Sequence, residues 1–306
     1  MVMKTRVWAL IAAVVAGGLV VFGTPMGTVG GAVGAPVEKS KSEAAERLPE
    51  AVRAADLVSV QRGSVPIIIS APHGGLVRVK GSKEREGGVK VRDVNTAEIA
   101  LLTAQRITGE LGSKPYFVIA QFSRKDADAN RSEAEGVEND AARAQWRAYH
   151  GALREFVDEC RRVHGRAIVI DIHGQSRRPE AIVRGTRNGQ TVKALVAKHG
   201  VAAIAGPDSL FGRLKAMGYA VIPELNADEN APEDGVAPGR ETFFDGGYIV
   251  AHYGSQNADG IDAIQVEIGA QRSNSTLKMA RDLGDAIAHF ARAFGLVETK
   301  VGEGER

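Results

Sequence analysis

Of the seven histidines in the chain, His73 and His173 have surroundings that suit metal chemistry. Each is followed by glycine, which leaves the ring unobstructed and lets the backbone turn away sharply. His73 stands in Ser-Ala-Pro-His-Gly-Gly (70–75) and His173 in Asp-Ile-His-Gly (171–174). Two histidines can simply cap loops, but two that are both glycine-flanked and both at strand ends favour a metal, most naturally zinc. A catalytic zinc takes three protein ligands and keeps one position open for water. The third ligand is expected from Asp93 or Glu98, at the start of the helix after His73. Asp93 is favoured because a residue just ahead of the first turn can point into the site. Its charge would equally complement the helix dipole. Asp171, two residues before His173 on one face of a strand, can steady a ligand from behind.

A metal-activated water needs a base, and Glu267 is placed for that work. Ile264, Val266 and Ile268 alternate with Gln265 and Glu267, so the two polar side chains share one face. A carboxylate in a strand this apolar is costly to bury without a partner or a task. A wet edge strand is the ordinary alternative. Arg124, Asp128, Asn130 and Arg131 fall in a polar loop after another strand. Arg131 can bind a substrate carboxylate with its planar fork of donors. Arg124 can do the same, or polarise the scissile carbonyl. The remaining histidines read as ordinary helix residues (His150, His164, His199, His289), and His252, beside a Gly pair, stays open.

These residues need elements to position them. Strand patterns occupy 65–70, 116–122, 167–172, 181–184, 220–222 and 263–268. Amphipathic helices fill 95–111, with Asn95 or Thr96 as N-cap, then 139–163, 192–198, 208–217 and 275–294. Residues 227–242 form a long Pro-, Gly- and acid-rich loop of the kind that borders sites. Strands apolar on both faces, alternating with helices, predict an α/β fold with a mostly parallel sheet covered on two sides. Ligands bind beyond the carboxyl ends of such strands, and both histidines are expected one to three residues past a strand end.

The whole chain sets the frame. It has 306 residues, 44% hydrophobic, with a net charge of +2 and no basic stripe, which excludes nucleic acid as a partner. No stable protein partner is implied. Lys4 and Arg6 precede an uncharged stretch to Val37, so residues 1–37 read as a signal peptide or N-terminal anchor. Export to the periplasm or beyond is expected, either free or held by that anchor. Residues 38–52 read as a linker, 53–297 as a single hydrolase domain and 298–306 as a charged tail. Cys160, the lone cysteine, lies at helical spacing with Trp146, Tyr149, Leu153 and Val157 and reads as core.

Five pieces in order carry a resemblance: residues 70–75, Arg-Asp-Val-Asn-Thr-Ala-Glu (92–98), Ser-Arg…Asp-Ala-Asn-Arg (123–131), residues 171–174, and Gln-Val-Glu (265–267). The chain resembles the N-formylglutamate amidohydrolase family, a branch of the zinc carboxypeptidase-like superfamily. The resemblance implies a three-layer α/β/α sandwich with a mostly parallel mixed sheet, one zinc ion, a water nucleophile and a glutamate base. It implies His73, His173 and the Asp93/Glu98 region as ligands and Glu267 as base. Asn130 and Arg131 match the pair that grips a substrate carboxylate. The chain lacks a compact His-x-x-Glu pair, since Gly75 and Leu76 follow His73. Family members of histidine breakdown are cytosolic, which points away from formylglutamate itself. The expected activity is cleavage of the amide bond of a small carboxylate-bearing N-acyl amino acid or peptide. The alternatives are a metallo-carboxypeptidase or cell-wall peptide hydrolase, and an exported binding module without turnover.

Overall fold

The computed structural model describes residues 57–224 and 240–298. The leader at 1–37, the linker at 38–52, most of the loop at 227–242 and nearly all of the tail lie outside these residues. In chain order the elements are β1 (Val58–Gln61), β2 (Ile67–Ala71), α1 (Thr96–Leu111), β3 (Tyr116–Ala120), α2 (Glu133–Gly136), α3 (Asp140–His164), β4 (Ile168–Gln175), β5 (Ala181–Gly185), α4 (Lys193–His199), α5 (Ala202–Ala205), α6 (Leu210–Ala216), β6 (Ala220–Ile222), α7 (Tyr248–Tyr253), β7 (Asp262–Gly269), α8 (Ala270–Ser273) and α9 (Thr276–Ala293). Among them no helix is long and apolar enough to cross a membrane.

The strands form one mixed sheet in the order β1-β3-β2-β4-β7-β5-β6. The inner pairs β3·β2, β2·β4 and β4·β7 are parallel, while β1 and β5 run antiparallel to their neighbours β3 and β7. Strand side chains alternate between faces, and here both faces are buried. Ile67, Ile69, Ile170 and Ile264 join α1, α6 and α9 in one core cluster, whereas Ile68, Val118, Val169 and Ala263 join α3 and α7 in the other. Each buried aliphatic side chain contributes roughly 1.5–3 kcal/mol, so the isoleucine-rich strands supply the interior on both sides. This is the three-layer α/β/α architecture with a mostly parallel mixed sheet that the sequence predicts.

Two local features differ from the sequence reading. His173 lies inside β4 rather than past it, because β4 stays paired with β7 through His173↔Glu267 as far as Gln175↔Gly269. Asn95 occupies the N-cap position of α1 in the left-handed region (φ 64°) without capping it. Its side chain instead donates to the Ser273 carbonyl, and the Thr96 hydroxyl bonds the Asp93 carbonyl. Strand β1 is an addition: Val58 and Val60 alternate with Ser59 and Gln61, but over four residues only.

Candidate metal centre and active site

Three parallel strands and the loops leaving them converge on one cleft of about 670 Å³. His73 follows β2 by two residues. Gly75 lets its loop pass β3 closely, since a Cβ there would sit 2.2 Å from the Phe122 carbonyl oxygen. Asp93 is brought to it by backbone pairing, with its N–H donating to the His73 carbonyl at 3.1 Å. His173 comes from β4. The Nδ1 atoms of both histidines face one atom, Oδ2 of Asp93, at 3.3 Å from His73 and 3.1 Å from His173. The two rings meet edge to face, 4.8 Å apart. All three side chains are buried, and their ligand atoms lie within 4.8 Å of one another.

The outer nitrogens define what the inner ones can do. His73 Nε2 donates to Asp128 Oδ1 at 2.7 Å, and His173 Nε2 donates to Asp171 Oδ2 at 2.9 Å. A carboxylate behind each ring fixes the Nε2–H tautomer and turns the Nδ1 lone pair inward. The Asn130 amide nitrogen also lies 3.2 Å from His173 Nε2. The amide nitrogen is itself a donor, so it cannot accept the Nε2 hydrogen, which goes to the Asp171 carboxylate. Two lone pairs and a carboxylate oxygen at these distances repel unless a proton or a metal cation sits among them. Without metal a proton on Nδ1 of His173 serves, donating to Asp93; a cation that displaces it finds a His–Asp–His donor set suited to zinc or a similar borderline ion.

The electrostatics agree. Burial opposes charge on His173, yet Asp171 and Asp93 raise its basicity well above the ordinary histidine value. Burial likewise disfavours ionised Asp93 and Asp128, but the imidazoles hold both carboxyls well below the usual carboxylate range. Arg124 adds a fixed cation: its Nε bonds Asp128 Oδ2 at 3.0 Å and its Nη1 reaches Asp93 Oδ1 at 3.3 Å.

Glu267 lines the same cleft. It lies on β7, flanked by β4 and β5, so the edge-strand alternative does not apply. Gln265 shares its face as the alternation predicts, and the Gln265 amide donates to Glu267 Oε1 at 2.9 Å while its carbonyl accepts the Gly247 N–H at 2.7 Å. Burial pushes the Glu267 carboxyl up to about 7, against the pull of His173. Such a group can take and return a proton near neutrality.

Asn130 is buried and Arg131 exposed, and both border the cleft. Helix α3 holds the backbone that presents them. One turn apart on it, the Trp146 indole donates to the Arg131 carbonyl and His150 Nε2 to the Ala129 carbonyl, at 3.1 and 2.8 Å. Asn130 Oδ1 accepts the Ile249 N–H, and Gly247 is required beside it because a Cβ there would come within 2.1 Å of the Asn130 amide nitrogen.

The structure thus brings together His73, Asp93, His173, Glu267, Arg124, Asn130 and Arg131. Glu98 stays in the first turn of α1, outside the cluster. His252 stacks on Tyr248, also outside it. Sequence reasoning gave no role to Asp128, although it stands two residues before Asn130 in the Asp-Ala-Asn-Arg piece. It also missed Ser70, whose hydroxyl links Tyr149 to Asp171 Oδ1 at 2.7 and 2.8 Å. Cleft-lining Arg92 and Arg177 carried no spacing signal.

Comparison with known proteins bears on the family and the fold. The profile of the N-formylglutamate amidohydrolase family matches residues 137–272, which include His173 and Glu267. Over that stretch, a little under half of its length, the chain is similar to the N-formylglutamate amidohydrolases. An N-formylglutamate amidohydrolase from Ralstonia eutropha JMP134 superimposes over 78% of this chain and 98% of its own, with 18% identity and a TM-score of 0.51. A gene product from Agrobacterium tumefaciens covers 81% of this chain and 99% of its own, at 16% identity and a TM-score of 0.47. At 18% identity the likeness to the Ralstonia protein shows the fold alone. No curated protein matches the chain. The profile match supports an amidohydrolase.

Proposed function

We propose that this N-formylglutamate amidohydrolase-like chain is an exported zinc-dependent hydrolase of amide bonds in small carboxylate-bearing N-acyl amino acids or peptides. The observation that carries the reading is the convergence of two Nδ1 lone pairs on Asp93, each ring backed by its own carboxylate, beside a buried glutamate. His73, Asp93 and His173 would hold the ion, which when bound supplies Lewis-acid polarisation and a more acidic water.

The remaining steps belong to the protein's own groups. Glu267 accepts a proton from the attacking water as its oxygen bonds to the carbonyl carbon. It returns that proton to the amide nitrogen as the C–N bond breaks, releasing a carboxylic acid and a free amine. Arg124, which lines the cleft while bonded to Asp93 and Asp128, adds positive charge for the developing oxyanion. Arg131 takes the remote carboxylate, with Asn130 fixing the loop that presents it.

Glu267→Gln keeps shape and hydrogen-bonding reach but cannot accept the proton. With zinc retained, kcat on N-acyl amino acids should fall by ~10²–10⁴. Near-normal turnover by this variant would contradict the assignment of the base.

A further inference from the structure

The segment between β2 and α1 lines the cleft with His73, Arg92 and Asp93 and, beside them, with three exposed valines. Among the described residues, seven large hydrophobic side chains are exposed, and five of them (Leu76, Val77, Val89, Val91, Val94) fall between positions 76 and 94. Val89, Val91 and Val94 line the cleft and are 53%, 74% and 50% exposed.

This lip is not a slack loop with stray apolar residues. Its backbone is tied down by side-chain hydrogen bonds. Arg85, 2% exposed, donates to the carbonyls of Gly87, Val89 and Arg124. Glu138 accepts the N–H groups of Glu86 and Gly87. Lys90 and Arg92, which alternate with the valines, bond the carbonyls of Arg85 and Gly74, and Arg124 bonds that of Val91. These bonds fix the backbone so that Val89, Val91 and Val94 face the cleft beside Arg92 and Arg124, which line it too. Burying a charged side chain to fix an irregular segment is costly, and exposed valine gains nothing from water.

We infer that the lip receives an aliphatic acyl group, so that the substrate is an N-acyl amino acid with an acyl chain longer than formyl or acetyl. This rests on the amidohydrolase reading above and adds the class of acyl group to it. A cleft of about 670 Å³ has room for such a chain, and Arg131 in the same cleft leaves the amino-acid carboxylate a partner. One methylene fully removed from water is worth about fourfold in affinity, and an open wall withholds only part of it.

The test uses zinc-loaded full-length protein and the N-acetyl, N-butanoyl and N-octanoyl derivatives of glutamate. Wild type reports hydrolysis, and Glu267→Gln reports Kd by calorimetry without turnover. Kd should fall at least tenfold from acetyl to octanoyl. Replacing Val89, Val91 and Val94 together by Ser in the Glu267→Gln background should shrink that ratio to within about twofold, with the thermal melt confirming the fold. Equal Kd across the series would overturn the inference, even if every compound is hydrolysed and the amidohydrolase reading stands. A tenfold ratio surviving the triple substitution would overturn the assignment to the lip. Chain-length-dependent binding without hydrolysis by wild type would uphold the lip and contradict the hydrolase.

Discussion

The two histidines that face Asp93 are held by different parts of the molecule. His173 belongs to β4, and its support is core: Asp171 lies two residues back on the same strand and is bonded in turn to Ser70 and, through it, to Tyr149. All of these side chains are fully or nearly fully buried. His73 sits on a loop, and its support is another loop, where Asp128 also accepts from the Asn130 N–H and from Arg124. Both are buried, but one ligand is part of a sheet strand, while the other is held between loops by Asp128, which the cleft-lining Arg124 braces. Losing the first should damage stability and metal binding together. Losing the second should damage metal binding with little cost to the fold.

The sharpest way to break this contrast is to remove each ligand. Both His173→Ala and His73→Ala should weaken zinc binding more than about a hundredfold, beyond what an outer-sphere substitution costs. Without metal, His173→Ala should also cost about 3 kcal/mol or more in denaturant unfolding, because Asp171 is left buried without its charged partner. His73→Ala should cost on the order of 1 kcal/mol, since Asp128 keeps Arg124 and the Asn130 N–H. Equal unfolding costs would dissolve the distinction between core and loop.

The supporting carboxylates come next. Asp171→Asn and Asp128→Asn should each lower zinc affinity about 10–100-fold while the ligands remain in place. Calorimetric titration of zinc into the two variants checks this. Wild-type affinity in either would mean that its histidine is oriented by packing alone.

Much of this was legible in the sequence, for reasons that show where the legibility stops. The strand patterns, the glycines after both histidines and the alternation around Glu267 are local, and the sheet obeyed them. Asp171 could be paired with His173 because a strand's period of two puts them on one face. Asp128 could not be paired with His73, because nothing local connects residues 55 positions apart in two loops. Likewise His150 reads as an ordinary helix residue, and only the packing of α3 shows it gripping the Ala129 carbonyl. The end of β4 was misjudged because Gly174 looked like a stop signal, whereas pairing with β7 carries the strand through it.

His150 sharpens the same comparison from behind the loop that presents Asn130 and Arg131. Burial lowers its pKa to about 3. Below pH ~6.5 an unfolded chain takes up a proton that the folded state refuses. The stabilisation from neutral His150 is therefore complete above pH ~6.5 and is lost as pH falls toward 3, at up to roughly 1.4 kcal/mol per unit. His150→Gln retains a donor for Ala129 and should flatten that slope in acid unfolding curves. An unchanged slope would show that another group controls acid stability.

The central claim is that Asp93 joins the two imidazoles into one metal site, and zinc titration of metal-stripped protein tests it most directly. Calorimetry on wild type, Asp93→Ala and Glu98→Ala should show one tight site in wild type and in Glu98→Ala, which gives up only a helix-terminus effect of up to about 1 kcal/mol in stability. Asp93→Ala should lose the tight site while remaining folded. One equivalent of zinc bound by Asp93→Ala with wild-type affinity would contradict the account.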